Sequence, residues 1–213
     1  MGNKVNPIAF RLGPVYTWSS RWFADNKNYK HLVLEDVQIR RSLLKKLKPA
    51  GISRIEIERS INRVVITIYA ARPGVIIGRG GQGHEDLKKF IAEKLLSSAG
   101  KKESVKLELK VEPIKEPSLD AYLVAVNIAD QLVRQIPAKR VLRSEVEKVM
   151  SAGAKGVKVR LSGRVDGAEI GRIINRHLGM VPLSSIKALI DYAHFPALTK
   201  SGYVGVKVWI CKT

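Results

Sequence analysis

The chain has one cysteine, Cys211, among 213 residues. One thiol cannot close an intramolecular disulfide or build a cysteine-based zinc site, and a lone cysteine suits a reducing compartment. No apolar run approaches the roughly 18 residues that span a bilayer, so no segment is expected to span a membrane. The opening MGNKVNPIAFRLG lacks the continuous apolar segment of a secretory signal. Asn6 stands where a myristoylation motif takes Ser or Thr. Aromatics are scarce at 6%, so their concentration in the first 28 residues stands out. Acid is scarcer than base, with 19 Asp and Glu against 38 Lys and Arg. A net charge of +19 opposes compaction by self-repulsion. It points outward to a polyanion, nucleic acid first and an anionic membrane surface second.

What is present supports a folded chain. Hydrophobic residues make up 45%, enough for a core. Residues 1–113 hold 22 basic and 11 acidic side chains, and residues 114–213 hold 16 and 8. Both halves are basic, so a polyanion is expected to meet several faces rather than one tail. At roughly 150 residues per domain, the length allows one large domain or two small ones. Pro113 and Pro117, close together in EPIKEP, favour extended backbone and mark the boundary.

The organisation follows from periodicity. Residues 1–28 interleave Lys4, Arg11, Arg21 and Lys27 with Phe10, Tyr16, Trp18, Trp22 and Phe23, as an arm that neutralises phosphates and stacks on bases would. Packing of those aromatics on the chain's own domain is the alternative. Residues 29–48 carry a helical stripe through Val33, Val37, Leu44 and Leu47. Alternation over 54–60 and 63–70 predicts a hairpin joined tightly at Ile61-Asn62. A helix over 82–97, a turn at Gly100-Lys101-Lys102 and a strand over 104–111 follow. Beyond the 113–117 linker, Ser118 is expected to cap an apolar helix reaching Ile136. Pro137 breaks it, and a second helix runs over 138–152 to Gly153. Strands are predicted over 157–161 and 204–210 and, more weakly, over 186–195. Residues 163–180 read equally as helix or strand. The fold class is therefore α+β in two domains, 29–112 and 118–213, the second with two helices on a mixed sheet.

Gly78-Arg79-Gly80-Gly81-Gln82-Gly83 can be read in two ways. It matches G-x-G-x-x-G, but a dinucleotide fingerprint needs a full strand before it within a parallel βαβ unit. Only Val75-Ile76-Ile77 separates the first glycine from Pro73-Gly74. The alternative is a G-x-x-G loop, Gly78, Arg79, Gly80 and Gly81, ahead of an amphipathic helix. Glycines admit a sugar-phosphate backbone close to the chain, the helix offers free N–H groups, and Arg79 adds a cation. A KH domain clamps about four nucleotides in this way.

At this point the residues carry a resemblance. The first half resembles a type II KH domain, αββ, then VIIGRGG, then αβ. The whole chain resembles the bacterial-type ribosomal protein S-three family. MGNKVNPIAFRLG resembles that family's opening and ARPGVIIGRGG its KH core. GAKGVKVRLSGR and GAEIGR resemble parts of its C-terminal domain. VPL, IDY and GVKVWI resemble its closing strands. The resemblance implies a structural constituent of the small-subunit head that binds small-subunit rRNA and lines the channel by which mRNA enters. It implies ribosomal proteins S-ten, S-fourteen and S-two as neighbours. It implies a cytoplasmic ribosome, with an organellar one left open. The family's mRNA-facing basic cluster, which supports unwinding, falls here on Lys139, Arg140 and Arg143. At about 100° per residue these three share one edge of their helix, beside the stripe of Leu142, Val146 and Val149. Glu145 and Glu147 place acid on the same helix. Candidates for rRNA contact are Lys4, Arg11, Trp22, Arg72, Lys155, Arg160, Arg164 and Arg172.

No enzyme is expected, and no cofactor or metal. H-E-x-x-H, P-loop and metal-ligand spacings are missing, and His31, His84, His177 and His194 are scattered. Glu85-Asp86 opens a helix, which suits its dipole. Two other classes stay open on sequence: a free KH-type single-stranded RNA-binding regulator or processing factor, and a nucleotide-dependent enzyme using residues 78–83.

Overall fold

The computed structural model describes residues 4–60, 63–99 and 106–212, with side chains described except over 94–99. The joins expected at Ile61-Asn62 and at Gly100-Lys101-Lys102 lie outside the described residues. The chain divides into two units, one of residues 18–115 and one of residues 116 onward together with the N-terminal residues up to Thr17. The 1–28 segment, read from sequence as one arm, is thus shared between the units. Periodicity could not show this, because the segment is held by single side chains rather than by a repeating apolar face.

The short α1 (Pro7–Phe10) belongs to the second unit; in the first, β1 (Ser20–Arg21) leads into α2 (Asn26–Lys46), β2 (Ile52–Ser60) and β3 (Arg63–Ala70). The short α3 (Pro73–Ile77), α4 (Gln82–Ala99) and β4 (Lys106–Pro113) complete it. Strand order is β1-β2-β3-β4. The central pair is an antiparallel hairpin, and each outer strand runs parallel to its neighbour. Alternation places Ile55, Ile57, Ile66, Ile68, Leu107 and Leu109 against Ile39 and Leu43 of α2 and Leu87 and Ile91 of α4. One buried polar knot fixes the entering strand. Asp36 accepts from Trp22 Nε1 at 2.9 Å, from Ser20 Oγ at 3.3 Å and from Arg59 Nε at 2.9 Å. Arg59 also pairs with Glu35 at 2.9 Å, so the two buried carboxylates of α2 are compensated by one guanidinium.

The second unit holds α5 (Ala121–Val133), α6 (Ala138–Ser151), β5 (Gly156–Gly163), β6 (Arg172–Gly179), β7 (Ile190–Thr199) and β8 (Gly202–Cys211). Its sheet runs β6-β5-β8-β7 and every pairing is antiparallel, which corrects the mixed sheet expected from sequence. The ambiguous 163–180 stretch supplies the edge strand β6, which returns directly beside β5. The consecutive pairs β5–β6 and β7–β8 are antiparallel, and β8 returns beside β5 in the antiparallel sense, so no parallel pair is left. Ser118 does not cap α5. A short 3-10 turn at Pro117–Leu119 comes first, and Asp120 accepts from the N–H groups of Tyr122 and Leu123. Asp166 accepts from Ala138 N–H at 2.9 Å, starting α6 directly after Pro137. Val124, Ile128, Leu142, Val146 and Val149 from the helices meet Val157, Val159, Leu161, Val206, Val208 and Ile210 from one face of the sheet.

On the other face a small cluster of Ile190, Trp209 and Cys211 is packed by Val181, Leu183, Ala188 and Tyr192. Arg11 fastens the N-terminal segment there. Its guanidinium donates to the carbonyls of Pro7, Leu183, Ser185 and Ala188 at 2.7–3.0 Å and to that of Pro182 at 3.3 Å. Tyr16 donates to the Ile190 carbonyl at 2.8 Å.

Candidate nucleic-acid interface

The glycine loop is built by backbone conformations that side chains avoid. Gly78, Gly80 and Gly81 have φ of +70°, +62° and +81°, the left-handed region that only glycine enters at no steric cost. A Cβ on Gly80 or Gly81 would meet nothing within 4 Å, so the loop keeps an open surface there. Gly83 is different: a Cβ would lie 2.7 Å from the Ile76 carbonyl, so its hydrogen lets the first turn of α4 rest on α3. The segment before the loop is helix α3 rather than a strand, which removes the dinucleotide reading. Arg79 is exposed at the tip, and Ile76 is buried as the anchor while Val75 and Ile77 beside it are exposed. These two apolar side chains were not singled out in the sequence. They flank a loop suited to phosphate, where unstacked bases need apolar surface.

On α6, Lys139, Arg140 and Arg143 are exposed and Val141, Leu142, Val146 and Val149 are buried beneath them. The amphipathic period therefore places the cations on a supported edge. Lys139 and Arg143 line a cavity of about 350 Å³ with Leu142, Ile174, Asn175 and Arg176. Arg140 lies outside it. Arg176 is the residue that sequence reasoning missed. It comes from β6, whose strand character was undecided, and only the observed register turns it toward α6. Acid on this helix is already engaged: Arg143 sits 3.5 Å from Glu147, both exposed, and buried Glu145 accepts from Lys148 at 2.7 Å and Gln131 at 2.8 Å. The exposed pair is worth little, so Arg143 can exchange it for a phosphate.

The rRNA candidates divide. Arg11 is fully buried and spends its donors on five carbonyls, so it is corrected from an RNA contact to an internal clamp. Trp22 is half-buried, its N–H committed to Asp36 and its ring tilted on Tyr29 at 5.4 Å. Arg72 is exposed immediately before α3. Arg164 and Arg172 are exposed but brace their own loop, donating to the Ala168 and Val165 carbonyls. Lys155 is exposed at the start of β5, and Lys4 and Arg160 border one cavity with Lys207. No group of three or more His, Cys, Asp or Glu is placed to hold a metal among the described residues. Among those residues no helix is long and apolar enough to cross a membrane.

A KH-domain family model matches residues 38–119, and the model of the ribosomal protein S3 C-terminal domain matches residues 128–210. The small ribosomal subunit protein uS3 of Hydrogenovibrio crunogenus is 46% identical over 212 residues, covering 100% of this chain and 90% of the relative. This chain belongs to the uS3 family. The uS3 proteins of Desulforamulus reducens and Caldicellulosiruptor bescii are 45% and 46% identical, each over 100% of this chain and 92% of the relative. The KH-domain match falls almost entirely on the 18–115 unit and the S3 C-terminal match on the other, and the α+β fold with an N-terminal KH domain agrees with the sequence reading.

Proposed function

We propose that this uS3 family member is a structural constituent of the small-subunit head, binds small-subunit rRNA, and lines the channel by which mRNA enters. The observation that carries the channel role is the exposed edge of Lys139, Arg140 and Arg143 on a helix anchored by its buried face, with Arg176 brought beside it. Cations held on a packed helix meet a phosphate backbone without first losing much freedom. A paired mRNA arriving there would have single strands held by charge while the ribosome supplies the motion. That role needs no catalytic group.

The Gly78–Gly81 loop, with Arg79 and Arg72 near it, is read as a second backbone contact. Lys155, Arg164 and Arg172 are read as rRNA contacts on the C-terminal unit. Ribosomal proteins S-ten, S-fourteen and S-two are the proposed protein neighbours, and the cytoplasmic ribosome the proposed location. The direct test is sedimentation of a lysate through a sucrose gradient before and after a high-salt wash. Persistent co-migration with the small subunit supports the reading. Migration at the top of the gradient would favour a free single-stranded RNA-binding regulator instead.

A further inference from the structure

The sheet of the C-terminal unit has a second face, away from the helices, and its chemistry is one-sided. Pairing registers place His177, Lys158, Trp209 and Tyr192 in one row across β6-β5-β8-β7, and Asn175, Arg160, Lys207 and His194 in the next. The four strands hold a single acidic residue, Asp191. It faces the helices, accepting from Ala121 N–H at 3.1 Å. Lys158, Arg160 and Lys207 therefore share a face with no carboxylate, and none of them forms an ion pair among the described residues.

The N-terminal segment turns part of this face into a cleft. A cavity of about 510 Å³ is floored by Arg160, Lys207, Tyr192 and Trp209 and walled by Lys4–Pro7, Phe10 and Leu183-Ser184. Its aromatics are held in place. Tyr192 and Trp209 pack with ring centres 5.3 Å apart, and Lys158 Nζ lies 5.8 Å from the Trp209 ring centre. Phe10 is 42% exposed and backed by the Arg11 guanidinium at 5.6 Å. Arg11 is itself immobilised by five carbonyls, so the ring is a fixed platform rather than a loose side chain.

Aromatic faces beside unpaired cations, on the open side of a four-stranded sheet, match single-stranded RNA: each base offers a π-face and each link a phosphate. An acidic peptide would satisfy the cations but would leave the aromatic platform without its stacking partner. We infer that this cleft binds single-stranded RNA, one unstacked base against Phe10 and the accessible part of Tyr192, which buried Trp209 backs, with flanking phosphates on Arg160, Lys207 and Lys4. The inference rests on the reading of the chain as an RNA-binding ribosomal protein and names a site separate from the KH loop and the α6 edge.

The test uses the full chain, a single-stranded adenosine octamer and ultraviolet crosslinking with mapping of the crosslinked residues. Crosslinks are expected at Phe10 or Tyr192. They should fall about tenfold in Arg160→Gln with Lys207→Gln, and similarly in Phe10→Leu, while those at the Gly78–Gly81 loop persist. Thermal melting of each variant confirms that the fold is kept. Crosslinks confined to the loop and α6, or unchanged in both variants, would overturn the cleft while leaving the RNA-binding reading intact. Protection of the cleft by a glutamate-rich peptide but never by the octamer would overturn it in favour of a protein partner.

Discussion

The Nε of Arg11 donates to the carbonyl oxygen of Ala188 at 2.8 Å, joining residues 177 positions apart. With its four other carbonyl acceptors, this guanidinium is the main polar tie between the N-terminal segment and the strand-side cluster. Arg11→Ala should destabilise the C-terminal unit by about 3 kcal/mol, because buried acceptors lose a charged donor. Arg11→Lys should recover little of that, since an ammonium lacks the planar fork. Denaturant titration measures both, and equal stability of Arg11→Ala and the parent would refute the clamp.

Gly83 and Gly80 separate two demands on the KH loop. In Gly83→Ala the new carbon meets the Ile76 carbonyl at 2.7 Å, so α4 must shift and stability should fall by about 1–3 kcal/mol. In Gly80→Ala there is space but φ is +62°, and the cost is about 1–2 kcal/mol of backbone strain. Melting curves read both losses. A crystal structure should show α3 and α4 moved apart only in Gly83→Ala.

Arg176 should behave as a fourth member of the α6 cluster. Arg176→Ala is expected to slow translation through a stable mRNA hairpin about as much as any one of Lys139→Ala, Arg140→Ala or Arg143→Ala. Translation of an unstructured message should be unchanged. Removing the three α6 cations together should lower the salt slope of single-strand binding by about 2, at about 0.7 per phosphate contact. Hairpin rates equal to the parent's in Arg176→Ala would leave that residue a bystander.

Arg63 on β3 pairs with Glu108 on β4, and this hydrogen bond and charge hold the Glu108 carboxyl below its ordinary range. A folded value below the unfolded one means that the pair's stabilisation is present above the ordinary carboxylate range. It is lost as pH falls through the folded value. The contribution is small because the pair is exposed. In Arg63→Gln the Glu108 titration, followed by NMR, should return toward the ordinary range. An unmoved titration would show that Arg63 is not the cause.

Local patterns in the sequence carried most of the elements. The α6 edge was legible because Leu142, Val146 and Val149 repeat at helical spacing and leave the cations on one side. The glycine loop was legible because three left-handed positions in four residues demand glycine. What sequence could not carry was pairing. Arg176 joins α6 only through the β5–β6 register, and an undecided strand has no register. Arg11 looks the same in sequence whether it faces phosphate or buried carbonyls. Ser118 and Asp120 are both good caps, and Pro117 decided between them by starting a 3-10 turn over the first.

The Arg11 tie also orders events during synthesis. Residues 18–115 are continuous, and their unit can close as soon as β4 has been made. The other unit needs a segment made at the very start and partners made near the end. At about 5–20 residues per second, the 177 positions between Arg11 and Ala188 correspond to roughly 9–35 s of elongation. Throughout that interval the nascent chain carries its basic, aromatic leader without an internal home, already beside the polyanion of the ribosome making it.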